Sequence, residues 1–464
     1  MGYNQIMNSQ LSITFCTGVG TVTGANFLLE TPAGSKILVD CGLVQGEKVA
    51  LDENREPFAY DISQITALFI THAHLDHVGR IPKLVREGYS GPIYSTPQTR
   101  ELAEIVLTDA GNILTKEAER DGLDPLYDAE DVRRIFPLWK TVPYHENFDL
   151  TKDVTVFLKD AGHILGSAMA EMTVHSAGDK KVLFTGDLGN SPAPLLRDTE
   201  PVGDVDYMVI ESVYGDRNHE SHDEREGKFE KIIKDTIARG GTLVIPTFAI
   251  DRAQVILYEL NNLVEQKKIP SVPVFFDSPM AIEATRVYSG STNLFNDAAQ
   301  QQIARGDNIF SFPHLKFTQS NDQSRYIDQA DGPKIILAGS GMSMGGRIVS
   351  HEENYLPDPK STILLVGYQM PGSLGRHLVD GEKVVRIHDR KVHVNAHIEC
   401  IFGYSAHKDS DHLIELVATA TPRLKAVYVV MGEPKSSMFL AQRINNEIYT
   451  QALVPERLKK YRLD

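Results

Sequence analysis

Apolar runs rich in β-branched residues recur along the first half of the chain, at 12–15, 36–39, 66–70, 154–158, 182–184 and 207–210. Polar or Gly/Pro turns separate them, and the long amphipathic stretches between them fall at about 77–87 and 97–120. Short apolar runs bounded by turns predict strands, and apolar positions repeating every three to four residues predict helices. Strands outnumber helices here, which predicts a sandwich of sheets with helices outside. From about 216 the texture changes. The runs 242–246, 274–276, 334–338 and 362–366 predict short strands buried on both faces, and helical stretches such as 252–265 lie between them. That alternation is the pattern of a parallel α/β sheet. After about 384 strand-like runs return at 384–387, 392–396 and 426–430, followed by a helix near 436–448. The chain therefore divides into a host, residues 1–211 and 384–464, and an inserted α/β domain, residues 212–383.

Composition narrows the class. At 464 residues the chain is too long for one ordinary core. Its 42% hydrophobic and 23% charged residues are those of a globular protein in water. No apolar run reaches the roughly 18 residues of a membrane span, and the N-terminus MGYNQIMNSQLSITF lacks a basic segment ahead of an apolar one. The expectation is a cytoplasmic protein with no membrane partner. Cys16, Cys41 and Cys400 are far apart and form no CxxC pair. That excludes a disulfide scaffold or a thiolate zinc knuckle and leaves the three as core residues. A net charge of −15 argues against coating duplex backbone non-specifically. It is compatible with an enzyme whose bound metals supply positive charge locally.

The chemistry concentrates in Thr71-His72-Ala73-His74-Leu75-Asp76-His77, directly after the apolar run 67–70. Four potential ligands within six residues at a strand end cannot pack as ordinary core, because each buried imidazole or carboxylate needs a partner. A metal satisfies them together, and mixed His/Asp ligation suits zinc. Further donors stand in comparable places. His163 lies in the glycine-bracketed Asp160-Ala161-Gly162-His163-Ile164-Leu165-Gly166, and Asp187 in Thr185-Gly186-Asp187-Leu188-Gly189 after the run 182–184. Flanking glycines let backbone approach closely. His219 and His222 follow in a charged segment that predicts a solvated helix start, and His145, His175, His314 and His412 carry no comparable context.

The order Asp40, HxHxDH, His163, Asp187 resembles the metallo-β-lactamase superfamily. The last histidine matches Gly403-Tyr404-Ser405-Ala406-His407, 220 residues after Asp187, a delay that requires an inserted domain. The combination resembles the β-CASP branch of nucleic-acid-processing nucleases, which includes the cleavage and polyadenylation endonuclease and ribonuclease J. Motif A is matched by Glu211 in Glu211-Ser212-Val213-Tyr214-Gly215-Asp216, motif B by His377 in Gly372-Ser373-Leu374-Gly375-Arg376-His377, and motif C by His407. Pro246-Thr247-Phe248-Ala249, Asp277-Ser278-Pro279-Met280 and Ser340-Gly341-Met342 leading to Gly345-Gly346-Arg347 agree as well. Two positions depart. Val213 stands where threonine is common, and Met431 in Val430-Met431-Gly432-Glu433 stands where many relatives carry histidine.

The resemblance implies an α/β fold, an αββα sandwich with an inserted parallel-sheet domain. It implies two zinc ions, with manganese as an alternative: His72, His74 and His163 on one, Asp76, His77 and His407 on the other, Asp187 bridging. A hydroxide held between two cations exists at neutral pH and is the nucleophile. Asp40 is implied as a carboxylate fixing a ligand imidazole, His377 as general acid to the leaving 3′ oxygen, and Glu211 as the group that orients His377. Ser340, Gly341, Gly345 and Gly346 suit phosphate cradling, because glycine-rich turns expose N–H groups. In the family a motif-C histidine goes with RNA-directed members, so His407 points to RNA as the partner, and a cleft nuclease is expected to prefer single strands that can be threaded and splayed. Endonuclease and 5′-exonuclease action, and a homodimer, are left open. Two other readings compete. A thioesterase or lactonase on the same fold would need a small pocket, which an insert of this size argues against. A non-catalytic RNA-binding scaffold would be expected to have lost ligands, and all seven positions are filled.

Overall fold

The computed structural model describes residues 10–464 apart from residues 47, 177, 371 and 421, so the N-terminal stretch read for a leader lies largely outside the described residues. The chain forms two compact units: one holds the chain up to Ser191 with Asp198–Asn218 and His407–Asp464, the other Pro192–Arg197 and His219–Ala406.

The first unit is an αββα sandwich of two seven-stranded sheets. One runs Lys460–Arg462, Ser12–Thr17, Asn26–Glu30, Lys36–Val39, Ala67–Phe69, Ile93–Ser95, Trp139–Thr141. The other runs Gln451–Leu453, Ala426–Val430, Tyr207–Glu211, Lys180–Phe184, Ala168–Val174, Val154–Asp160, Asn147–Thr151. Each sheet is antiparallel on one side and parallel on the other. In Val154–Asp160 every second residue is buried, the signature of a strand with one face on the core. Phe15, Phe27, Val39 and Phe69 of the first sheet meet Val156, Ala170, Phe184 and Tyr428 of the second in one apolar layer. Phe27 stacks on Phe184 with ring centroids 6.4 Å apart. Helices Ser410–Ala418 and Pro434–Arg443 close the outer face of the second sheet through Leu413, Val417 and Leu440.

The second unit is built on a six-stranded, wholly parallel sheet, ordered Leu315–Phe317, Val274–Asp277, Lys334–Ala338, Thr242–Pro246, Thr362–Val366, His397–Ile401. Its central strands are buried at every position, as parallel strands covered on both faces must be. Helix Arg252–Glu265 leaves strand Thr242–Pro246 toward Val274–Asp277, whereas helix Arg347–Tyr355 leaves Lys334–Ala338 toward Thr362–Val366 on the other side. The chain thus changes direction between two neighbouring strands, and their carboxyl ends open at Thr247 and Gly339, the kind of crevice in which open α/β sheets bind ligands.

The unit boundaries fall at 219 and 406 rather than at 212 and 384. Residues 212–218 stay with the host because Ser212 Oγ donates to Val430 O at 2.8 Å and Ser410 Oγ to Gly215 O at 2.7 Å. At the other end, Val384–Ile387 and Arg390–His393 form a hairpin whose Val385, Ile387 and Val392 enter the insert's core, and His397–Ile401 adds the sheet's edge strand. Their period-two pattern mimics the host's antiparallel strands.

A buried polar knot braces the carboxyl end of strand Val274–Asp277. Asp277 accepts from His351 Nε2 at 2.8 Å, Arg347 Nη1 at 2.7 Å, and the hydroxyls of Ser324 and Thr318 at 2.6 Å each. Burial opposes ionisation of Asp277, but these donors outweigh it and hold the carboxyl down at about 2. Burial likewise opposes a charged His351, yet its bonds to Asp277 and Asp328 raise the imidazole above its ordinary value. A raised folded-state pKa stabilises fully below the unfolded value of about 6.5 and is lost as pH rises through the folded value. His351→Ala should therefore destabilise by about 1–3 kcal/mol near pH 6, and by less at alkaline pH. Urea midpoints of both proteins at the two pH values test this, and an equal loss at both would contradict it.

Candidate metal centre

Strands of both host sheets end at one edge, and each end delivers a polar side chain. Asp40 follows Lys36–Val39, the segment 71–77 follows Ala67–Phe69, His163 follows Val154–Asp160, Asp187 follows Lys180–Phe184, and Glu211 ends Tyr207–Glu211. His407 precedes helix Ser410–Ala418 and joins the edge by bridging to Gly189. Two glycines allow the loops to touch. A Cβ on Gly42 would overlap the Asp76 carbonyl, and one on Gly189 would overlap the Gly162 carbonyl.

Three overlapping donor groups result: His72, His74, His163 and Asp187; Asp76, His77 and Asp187; and Asp187, Glu211 and His407. His74 Nδ1 lies 3.1 Å from both His72 Nε2 and His163 Nε2. Asp187 Oδ2 stands 3.5 Å from His72 Nε2 and 3.6 Å from His163 Nε2, while its Oδ1 faces His77 Nε2 at 3.3 Å. His77 Nε2 is also 3.9 Å from Asp76 Oδ2. Ligand atoms around a four-coordinate zinc at roughly 2.0–2.1 Å stand about 3.3–3.4 Å apart. The donors thus already hold the spacing of a metal shell. His77 Nε2 and Asp187 Oδ1 are buried and have no hydrogen bond of good geometry. Such atoms are costly in a core without a cation, so the residues present fit a metal.

A second tier aims the imidazoles. His77 Nδ1 donates to Asp40 at 2.7 Å, which leaves Nε2 bare toward Asp187. Thr71 Oγ1 donates to Asp40 at 2.8 Å and receives His72 Nδ1 at 3.1 Å, so one carboxylate orients two rings. Thr71 N adds a third bond to Asp40 at 2.8 Å. Glu211 repeats the arrangement at the other end, accepting from His407 Nδ1 at 3.1 Å and from the backbone N–H of Leu188 at 2.7 Å. Burial pushes His72 well below its ordinary value and lifts Asp76 to about 6. For His77 and His407 burial is outweighed, by Asp187 and Asp40 for the first and by Glu211 for the second, which rises to about 9. Asp187 is buried too, yet His77 and His72 hold it well below the carboxylate range.

Other predicted residues fall elsewhere. His377 is half exposed on helix Leu374–Val379 of the second unit, where its Nδ1 donates to Glu382 at 2.7 Å. Glu211 accepts from His407, Leu188 and Val213, and Glu382 accepts from His377. Ser340, Gly341, Gly345 and Gly346 line the turn after strand Lys334–Ala338, at the sheet's change of direction. Ser340 N bonds Gly345 O at 3.2 Å, and Gln369 Nε2 ties Gly341 O to the next loop at 3.1 Å. Met431 is buried and lines, with Asp40, Thr71, His77 and Glu211, a small cavity behind the clusters. A thioether there offers no proton to either carboxylate. His145, His175 and His412 pair with Glu200, Asp179 and Asp409 outside the clusters. Cys16 and Cys41 are buried thiols pushed up to about 12, consistent with core residues. Thr71 was within the motif without a role assigned to it, and Glu382 carries no sequence signal.

Comparison with known proteins agrees with this architecture. Family models match at residues 19–239 (metallo-beta-lactamase superfamily), 253–378 (Beta-Casp domain) and 391–455 (Zn-dependent metallo-hydrolase RNA specificity domain). The chain is 35% identical over 421 residues to ribonuclease TTHA0252 of Thermus thermophilus, covering 91% of this chain and 93% of that protein. It is 31% identical over 468 residues to transcription termination factor FttA of Methanosarcina mazei, covering 97% and 71%. A crystal structure of a protein of unknown function from Enterococcus faecalis V583 shares the fold with a TM-score of 0.55 at 12% identity, covering 98% of this chain and all of that one. The superfamily implies a divalent metal at the strand-edge clusters, and the chain belongs to the β-CASP branch of the metallo-β-lactamase superfamily.

Proposed function

We propose that the protein is a two-metal ribonuclease that hydrolyses phosphodiester bonds in single-stranded RNA. The observation that carries the reading is Asp187, buried where the donor groups overlap, with Oδ1 facing His77 and Oδ2 facing His72, His163 and His407. Family membership, the ribonuclease among its relatives and the matched RNA specificity domain support RNA as the substrate. His72, His74 and His163 would hold one ion, Asp76, His77 and His407 the other, with Asp187 shared. The mixed imidazole and carboxylate donors suit zinc, with manganese as an alternative. Bound there, two cations polarise the phosphoryl oxygens and make water a nucleophile at neutral pH.

The rest is done by the chain's own side chains. Asp40, through Thr71 and His77, keeps bare nitrogens pointing inward, and Glu211 holds the His407 ring through Nδ1. His377, its Nδ1 engaged by Glu382, has Nε2 to donate a proton to the leaving 3′ oxygen. The turn Ser340–Gly346 presents backbone N–H groups to a phosphate at the carboxyl end of the insert's sheet.

Elemental analysis of the purified, metal-replete protein should find about two zinc equivalents per chain, and a value near zero would sink the metal assignment. Asp187→Asn should lose metal and activity together. Asp40→Ala should weaken metal binding by about 10–100-fold, read by chelator competition; unchanged affinity would show that Asp40 has only a packing role. His377→Ala should slow cleavage by on the order of 10²–10⁴ with metal content intact, whereas parallel loss of metal would show it misassigned. For substrate, matched RNA and DNA oligonucleotides, each single-stranded and paired, should show cutting of single-stranded RNA and little or none of duplex DNA. Preferential cutting of DNA, or turnover of a small thioester or lactone with no attack on RNA, would overturn the substrate while leaving the metal site standing.

A further inference from the structure

The hairpin Val384–Ile387 and Arg390–His393 has a sharply divided surface. Val385, Ile387 and Val392 are buried in the second unit's core. The opposite face carries Val384, Arg386, Lys391 and His393, all exposed. The register sets Arg386 directly across from Lys391, and Val384 directly across from His393. Like charges placed opposite one another on a sheet destabilise it, so this pair is unfavourable for the fold in isolation.

The surrounding charges deepen the anomaly. Between residues 383 and 397 the chain has four Lys or Arg against one Asp, with three histidines besides, in a protein of net charge −15. Cations on the exposed helices are typically neutralised by a neighbour one turn away, as Lys231 is by Asp235, Lys234 by Glu230 and Arg286 by Glu283. Here Arg390 shares Glu353 with His388, and Arg386, 77% exposed, reaches Asp389 only at 4.0 Å. Lys383 and Lys391 have no carboxylate partner among the described residues. The ribbon packs against helix Leu374–Val379, which carries His377.

We propose that the outward face of this ribbon binds the RNA backbone, with Arg386 and Lys391 on phosphates and His393 offering a ring for a base to stack on. The inference rests on the ribonuclease reading above and extends it to a substrate-holding surface. It gives an acidic protein a local basic contact, and it explains a repulsive pair that the fold itself does not need.

The test compares wild type with R386Q/K391Q in three measurements. These are binding of a phosphorothioate-linked single-stranded RNA across a salt series, hydrolysis of bis(p-nitrophenyl) phosphate by the metal-loaded protein, and thermal melting. The variant should bind the RNA on the order of tenfold more weakly at low salt, with a log–log salt slope shallower by about 1.4, the share of two phosphate contacts. Hydrolysis of the small phosphodiester should be unchanged, and the melting temperature should not fall, because repulsion is relieved. If wild type binds and cuts RNA and the variant matches its affinity and slope, the ribbon proposal alone is refuted. If wild type hydrolyses the small phosphodiester but neither binds nor cuts RNA, the ribonuclease reading fails and takes the ribbon with it.

Discussion

A carboxylate buried among imidazoles is the constraint around which the host unit is arranged. Asp187 is 2% exposed, and four histidine rings lie within 4.0 Å of its oxygens. Groups of this kind are expensive out of water unless fully paired, and the pairing has to be built from several strands at once. Strands of both sheets meet that need by ending at a common edge. The cost then spreads outward: each ring aimed inward needs a partner behind it, as His77 has in Asp40 and His72 has in Thr71. The tolerance of such a lattice is small, which is why Gly42 and Gly189 have room for nothing larger.

How far this was legible from the residues depends on chain distance. His72, His74, Asp76 and His77 are neighbours in sequence and in space, so their pattern announces itself. His163 and Asp187 sit in glycine-flanked loops after apolar runs, and that context is local too. His407 is different. Nothing in its own surroundings marks it, and 220 residues separate it from Asp187, so only the resemblance to a family could connect them. Glu211 stands out through its motif, whereas its bonds to His407 and Leu188 depend on packing, which periodicity does not report.

The fold was legible in kind and less so at its seams. Continuous apolar runs with helices between them mark the insert's parallel sheet, since burial on both faces leaves no period of two. Near 384 strand-like runs return while the chain is still in the second unit, which ends in an antiparallel hairpin and an edge strand. Both units obey one architectural habit: they place polar side chains or turns at the carboxyl ends of parallel strands and spend the opposite ends on packing.

The interruption of the host by its insert has a consequence for how the protein comes into being. A ribosome delivers His72 through Asp187 early, but His407 only after the whole second unit. Strand Ala426–Val430, which lies inside the second sheet next to Tyr207–Glu211, and Lys460–Arg462, which edges the first, arrive later still. Neither sheet is complete until these last strands emerge. A chain that stops before His407 lacks part of both sheets and one of the clustered imidazoles.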